Sequence, residues 1–362
     1  MTASLNNHNR RPSGLQSGMI FDCARRYYPV ETIKGLIDVL AGQEGAFLQL
    51  HLTDDQNVGV ACAFLGQTED TAEHLPDGSF LNPQTGKRFL SAGQIRDILA
   101  YAADRGVEII PEIEAPAHME GFFRLAEHQF GRDYVNSLAF SRYSWPGELD
   151  ITPLSALRFV QTLYDEYAAL FEGCRYFHIG CDELFSGSEA DKTAYIRSMS
   201  AYMRDKGFIV RMWNDLLTKE NISGLDKEIQ VTYWSWDGDA RDPEVAAARQ
   251  AERASVPDLQ AEGFDILICN SYYLYYVPSE RNFNVHDNDY TINDLLENWT
   301  LKMWNSNRGT ALDHTAHIIG SAAAMWSEDS AALSEAEIIS QFIRQYRAMR
   351  QVNADTINNS DM

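Results

Sequence analysis

The sequence predicts an α/β protein folded as a single (β/α)8 barrel. Three observations carry that expectation: a recurring helix, glycine, strand unit; connections that are short on one side of the unit and long on the other; and the lack of a nucleotide-binding glycine loop. The unit recurs in GQEGAFLQLHL, ADRGVEIIPEI, FEGCRYFHIG, DKGFIVRMW and AEGFDILICN. In each, an amphipathic stretch meets a short apolar run through a glycine, which tolerates the left-handed turn that closes a helix. An opening strand over 18–24, a sixth over 229–235 and a last over 317–326 bring the count to eight strands alternating with helices. Connections from helix to strand take a few residues, whereas those from strand to helix are long, over 53–90, 114–153, 236–255 and 272–289. Long loops on one face are how a barrel builds a site. A doubly wound sheet would carry GxGxxG or GxxxxGK[ST] after an early strand, and neither occurs. The expected organisation is an N-terminal extension over 1–17, the barrel over 18–352 and a polar tail over 353–362.

The chain has 362 residues, 45% of them hydrophobic, enough to bury a large core. Its 52 acidic residues against 30 basic ones give a formal charge of -22, which argues against nucleic acid or an anionic membrane surface as partner. Cys23, Cys62, Cys174, Cys181 and Cys269 are odd in number and form no CxxC pair, as expected of reduced core thiols. The opening MTASLNNHNRRPSG lacks the apolar core of a signal peptide, and no run approaches the roughly 18 apolar residues of a membrane span.

Chemistry in such a barrel gathers at the C-terminal strand tips. Here the tips carry, in order, Asp22 and Arg25; His51, Asp54 and Asp55; Glu112, Glu114 and His118; Asp182 and Glu183; Trp213, Asn214 and Asp215; Trp234, Trp236 and Asp237; Tyr272, Tyr273 and Tyr275; Trp326 and Glu328. Carboxylates and flat aromatics suit sugar chemistry, because pyranose rings offer hydroxyls to the former and CH faces to the latter. Glycosidic cleavage also needs a proton donor at the leaving oxygen and negative charge near the anomeric carbon. The adjacent pair Asp182 and Glu183, after FHIG, can divide those tasks if burial keeps one protonated. For His118 a structural role stays open. Trp145, Trp299 and Trp304 lie off the tips and are assigned to core or surface. A metal site from His51, Asp54, Glu112, His118 and His178 is the chemical rival, but no HxH or HExxH pairing supports it, and neither metal nor cofactor is expected.

The segments FDCARRYYPVETIK, LHLTDDQ, IIPEIEAPAHM, HIGCDE, RMWND, TYWSWDGD, NSYYLYYVP and AMWSED resemble the family 20 glycoside hydrolases, the β-N-acetylhexosaminidases. They occur in order over nearly the whole chain and are most similar to single-barrel members that cut poly-β-1,6-N-acetylglucosamine. The resemblance implies substrate-assisted catalysis, in which the sugar's 2-acetamido oxygen attacks the anomeric carbon. It implies Glu183 as general acid and base, Asp182 as the partner of the acetamido N–H, and Asp54 with His118 as their support. Trp213, Trp234 and Trp326 would wall the acetamido pocket, Tyr273 would donate to the acetamido oxygen, and Arg25 and Glu328 would bind ring hydroxyls. Tyr275 stands where the family often has an acid or amide. The implied substrate is an N-acetylglucosamine polysaccharide or oligosaccharide. A general exo-hexosaminidase on chitobiose or glycoconjugates, or a low-activity N-acetylglucosamine-binding barrel, are the alternatives. The polysaccharide reading also implies export. Two features are this chain's own. Cys181 replaces the second glycine of Gly-Gly-Asp-Glu, where a side chain directed at the barrel interior would shift the carboxylates and make activity redox-sensitive. Asp237, Asp239 and Asp242 form an acidic loop expected to attract the ammonium groups of partly deacetylated polymer.

Overall fold

In the computed structural model, residues 14–143, 145–279, 285–305 and 311–360 are described. The eight expected strands are β1 (Gln16–Asp22), β2 (Ala46–His51), β3 (Glu108–Glu112), β4 (Tyr176–His178), β5 (Ile209–Trp213), β6 (Gln230–Tyr233), β7 (Ile266–Ile268) and β8 (Ile318–Met325). All are parallel, each pairs with the next, and β1 pairs with β8 to close the barrel.

Period-two alternation sorts the strand side chains into two cores. Ile20, Phe47, Ile110, Tyr176, Trp213, Leu267, Ala322 and Ala324 fill the interior. Their neighbours Met19, Phe21, Leu48, Ile109, Phe177, Val210 and Ile266 join the outer layer beneath the helices. Gly18 is required at the first strand because a Cβ there would lie 2.1 Å from the Phe47 ring.

The helical layer departs from strict alternation once. Between β5 and β6 there is no α-helix, only a 3-10 turn at Ile222–Gly224. The last helix, Glu335–Ser360, takes in residues 353–360 of the expected polar tail, and β1 begins at Gln16. Asn353 on that helix is buried and donates to Ser17 and Ser321, joining the helix to the first and last strands. No helix among the described residues is long and apolar enough to cross a membrane. The long loop after β3 carries a hairpin, Ala139–Ser141 with Glu148–Leu149, which folds back over the strand tips.

Candidate active site

The strand tips enclose a cavity of about 450 Å3, lined among others by Arg25, Asp54, Asp182, Glu183, Trp213, Trp234, Tyr275, Trp326 and Glu328. Its floor is a sealed ionic cluster. His51 sits between Glu112, 3.1 Å from Nδ1, and Asp54, 3.4 Å from Nε2. Glu112 also accepts from the Trp213 indole at 2.8 Å and from Gln49 at 2.8 Å. Burial opposes charge on His51, yet Glu112 and Asp54 outweigh it and raise its pKa to about 10. Burial likewise opposes the charge on Asp54, but Arg25, at 2.7 Å, and the two histidines hold it far below the usual carboxylate range.

The tip of β4 turns sharply. Gly180 adopts φ +72°, and a Cβ there would lie 2.0 Å from Glu114 Oε1, so only glycine lets this backbone close on the β3 loop. The turn delivers Asp182 and Glu183 into the cavity with side chains 20% and 22% exposed. His118 binds them from behind: its Nε2 lies 3.1 Å from Glu183 Oε2 and 3.8 Å from Asp182 Oδ2, while Nδ1 faces Asp55 at 3.4 Å and Asp54 at 3.7 Å. Burial disfavours the imidazolium, but these surrounding carboxylates, Asp182 foremost, push its pKa well up. Burial raises Asp182 to about 6 against the pull of His118. Glu114, fully buried against it, is pushed well up by burial and then by the charge of Asp182. Protonated Glu114 is a hydrogen-bond partner of Asp182, and Trp326 Nε1 is buried without one among the described residues.

The aromatic wall holds itself in place. Trp234 stacks on Tyr275 with centroids 6.0 Å apart, Trp326 packs on Trp213 and Tyr275, and Arg25 lies over Trp326 at 5.4 Å. Asp215 fixes the Trp234 indole at 2.6 Å and is itself paired with Arg253 at 2.9 Å.

Several expected residues stand elsewhere. Tyr273 does not line the cavity. It lies on a four-residue helix, Ser271–Leu274, capped by Asn270, which rotates its ring fully into the core; the chain then extends, and Tyr275 faces the cavity instead. Asp237, Asp239 and Asp242 do not line it either. Asp242 caps the helix Pro243–Glu252, Asp237 is held by Ser235 and Gln250, and Asp239 accepts from Ser271. Cys181 lies in the outer core, Sγ 3.8 Å from the Ile179 carbonyl, and burial pushes its thiol pKa well up. A buried, protonated thiol is a poor target for oxidants, so the expected intrusion into the barrel interior and redox sensitivity are not supported. Trp299 and Trp304 are core residues as expected, but Trp145 lines the cavity, as do Asp55 and Gln56. Nothing in the sequence singles out Trp145, which sits mid-loop far from any strand tip.

Two groups bring ligand atoms within 4.8 Å of one another among the described residues, His51 with Glu112 and Glu114, and His118 with Asp182 and Glu183. In both, the histidine lies within 3.1 Å of a carboxylate of its own group. His178, the remaining candidate, accepts from the Gly180 N–H at 3.2 Å through Nδ1, and burial lowers its pKa to about 4.

Residues 17–339 match the glycosyl hydrolase family 20 catalytic domain. The β-hexosaminidase of Vibrio furnissii is 27% identical over 280 residues, 73% of this chain and 45% of that protein. A chitooligosaccharidolytic β-N-acetylglucosaminidase of Ostrinia furnacalis is 22% identical over 337 residues, 86% of this chain and 53% of that protein, so the chain spans about half the length of these curated relatives. The crystal structure of Dispersin B superposes with a TM-score of 0.89 at 36% identity, covering 93% of this chain and 99% of that one. With the family match extending across the closed barrel and every strand tip of the cavity, the chain belongs to glycosyl hydrolase family 20.

Proposed function

We propose that the protein is a retaining β-N-acetylglucosaminidase that uses the substrate's own 2-acetamido oxygen as nucleophile, and that its substrate is poly-β-1,6-N-acetylglucosamine of biofilm matrix. The observation that carries the mechanism is the pair Asp182 and Glu183 in one tryptophan-walled cavity, each with about a fifth of its side-chain surface open to it. A carboxylate open to the cavity can accept from an acetamido N–H.

In the proposed first step the acetamido carbonyl oxygen bonds to the anomeric carbon as the glycosidic bond breaks. The leaving oxygen takes the proton of Glu183, and Asp182 accepts the N–H and balances the charge of the oxazolinium ring. Water then attacks the same carbon, giving its proton to Glu183 and reopening the ring. Two inversions leave the configuration retained. His118 holds Glu183 on the leaving-group side, backed by Asp54 and Asp55. Trp213, Trp234 and Trp326 offer the apolar walls, Tyr275 takes the place expected of Tyr273, and Arg25 and Glu328 stand at the rim for ring hydroxyls.

The choice of polymer draws on the near-complete mutual coverage with Dispersin B at 36% identity and on the resemblance of the strand-tip segments to single-barrel family members that cut poly-β-1,6-N-acetylglucosamine. Product analysis on β-1,6 and β-1,4 N-acetylglucosamine oligomers tests it. Faster cleavage of the β-1,6 series supports the proposal, and preference for chitobiose overturns the polymer assignment in favour of a general exo-hexosaminidase.

A further inference from the structure

Two exposed rings, Trp145 in the cavity lining and Phe185 beside it, have no place in the mechanism above. Trp145 is 65% exposed and Phe185 52%, with centroids 6.5 Å apart. Trp145 also stands edge-on to His118 at 5.8 Å, so it flanks the side of the cavity where the general acid is held. The leaving group must lie on that side, because the acid has to reach the glycosidic oxygen.

Residues 145–149 are tied to the catalytic groups at several points. The Met119 N–H donates to the Gly147 carbonyl at 3.0 Å and the Leu149 N–H to the Pro116 carbonyl at 2.8 Å, which brackets His118. The Gly147 N–H donates to Asp55 Oδ1 at 3.0 Å, and the other oxygen of Asp55 faces His118. The buried carboxylate of Glu148 accepts the N–H groups of Phe185 at 3.0 Å and Ser186 at 3.1 Å, immediately after the acid and its neighbour Leu184. Both His118 and Glu183 are left-handed, at φ +56° and +43°. Non-glycine residues keep that conformation only when their surroundings impose it.

We infer that residues 145–149 form a platform for the sugar on the leaving-group side, with Trp145 and Phe185 packing on its apolar face, and that Glu148 is a positioning residue for Glu183. The inference rests on Glu183 being the general acid, and its test has two arms so that the two ideas fail separately.

The first arm measures binding, without turnover, in Glu183→Gln protein by calorimetric titration with N-acetylglucosamine and with its β-1,6-linked disaccharide. Adding Trp145→Ala or Phe185→Ala lowers disaccharide affinity about tenfold and monosaccharide affinity by less, as loss of one ring contact predicts. Equal losses for both ligands, or none, overturn the platform. The second arm compares aryl N-acetylglucosaminides whose leaving groups differ in acidity. Glu148→Gln lowers kcat/KM, which reports the bond-breaking step, about tenfold for the poorer leaving group and much less for a dinitrophenolate, which needs little protonation. Glu148→Asp, which keeps the charge and shortens the reach, shows the same signature more weakly. A uniform fall across leaving groups overturns the positioning role. Absence of turnover in the unsubstituted protein overturns both that role and the proposed function, while the binding arm still decides the platform.

Discussion

Two histidine clusters share the carboxylate of Asp54, and only one of them faces the cavity with carboxylates to spare. His51, in the floor, is surrounded by Glu112 and Asp54, and Glu112 already accepts from Trp213 and Gln49. His118, buried behind the two acids, is surrounded by Asp182, Glu183, Asp54 and Asp55, and Asp182 and Glu183 keep about a fifth of their side-chain surface open. Similar residue types therefore do different work. A carboxylate saturated by internal donors supports the fold, and one left with lone pairs toward a cavity is available to a ligand.

The comparison breaks most decisively at Glu183. Glu183→Gln removes the transferable proton and is expected to lower kcat on an aryl N-acetylglucosaminide about 1000-fold without lowering the Tm. In the floor the effect falls on stability instead. His51→Gln leaves Glu112 without its buried cation, while Asp54 keeps Arg25, and should cost about 3 kcal/mol in urea unfolding. The sign is testable. Because the folded pKa of His51 is raised from 6.5 to about 10, its stabilisation is fully present below pH 6.5 and lost as pH rises through about 10, so the gap between the two proteins should close over that range.

Asp182→Asn comes next, with an expected loss in kcat of about 100-fold, since the amide cannot balance the developing charge. Asp182 also sets a pH limb. Its pKa is raised from 3.8 to about 6, and the ionised form is the one that accepts the acetamido N–H, so kcat/KM should climb as pH rises through about 6. Its contribution to stability runs the other way, present below pH 3.8 and lost as pH rises through about 6. The smallest effect is expected at Cys181. Cys181→Gly relieves a left-handed φ of +77° without reaching the cavity and should change kcat less than about threefold in reducing or oxidising buffer alike.

Much of this was legible in the sequence because it depends on local pattern. The helix, glycine, strand unit located five of the eight strands and further apolar runs the other three, and strand ends located Arg25, Asp54, Asp182, Glu183, Trp213, Trp234, Trp326 and Glu328, all of which line the cavity. What was not legible lies in the loops, where no periodicity links position to direction. Tyr273 and Tyr275 are two residues apart, and a single helical turn decided which of them faces the cavity. Asp242 reads as a free charge until the helix it caps is seen. Trp145 reaches the cavity through a hairpin whose anchors, Asp55 and Glu148, pair with residues far away in the chain.

The division of labour between the two neighbouring acids is tested most directly by kcat/KM, which reports the bond-breaking step, for Asp182→Asn and Glu183→Gln on two aryl N-acetylglucosaminides, one with a poor leaving group and one with dinitrophenolate. Glu183→Gln should recover most of its loss with dinitrophenolate, which departs without a proton, while Asp182→Asn should be depressed to a similar degree with both. The same dependence on leaving group in the two variants would contradict the account.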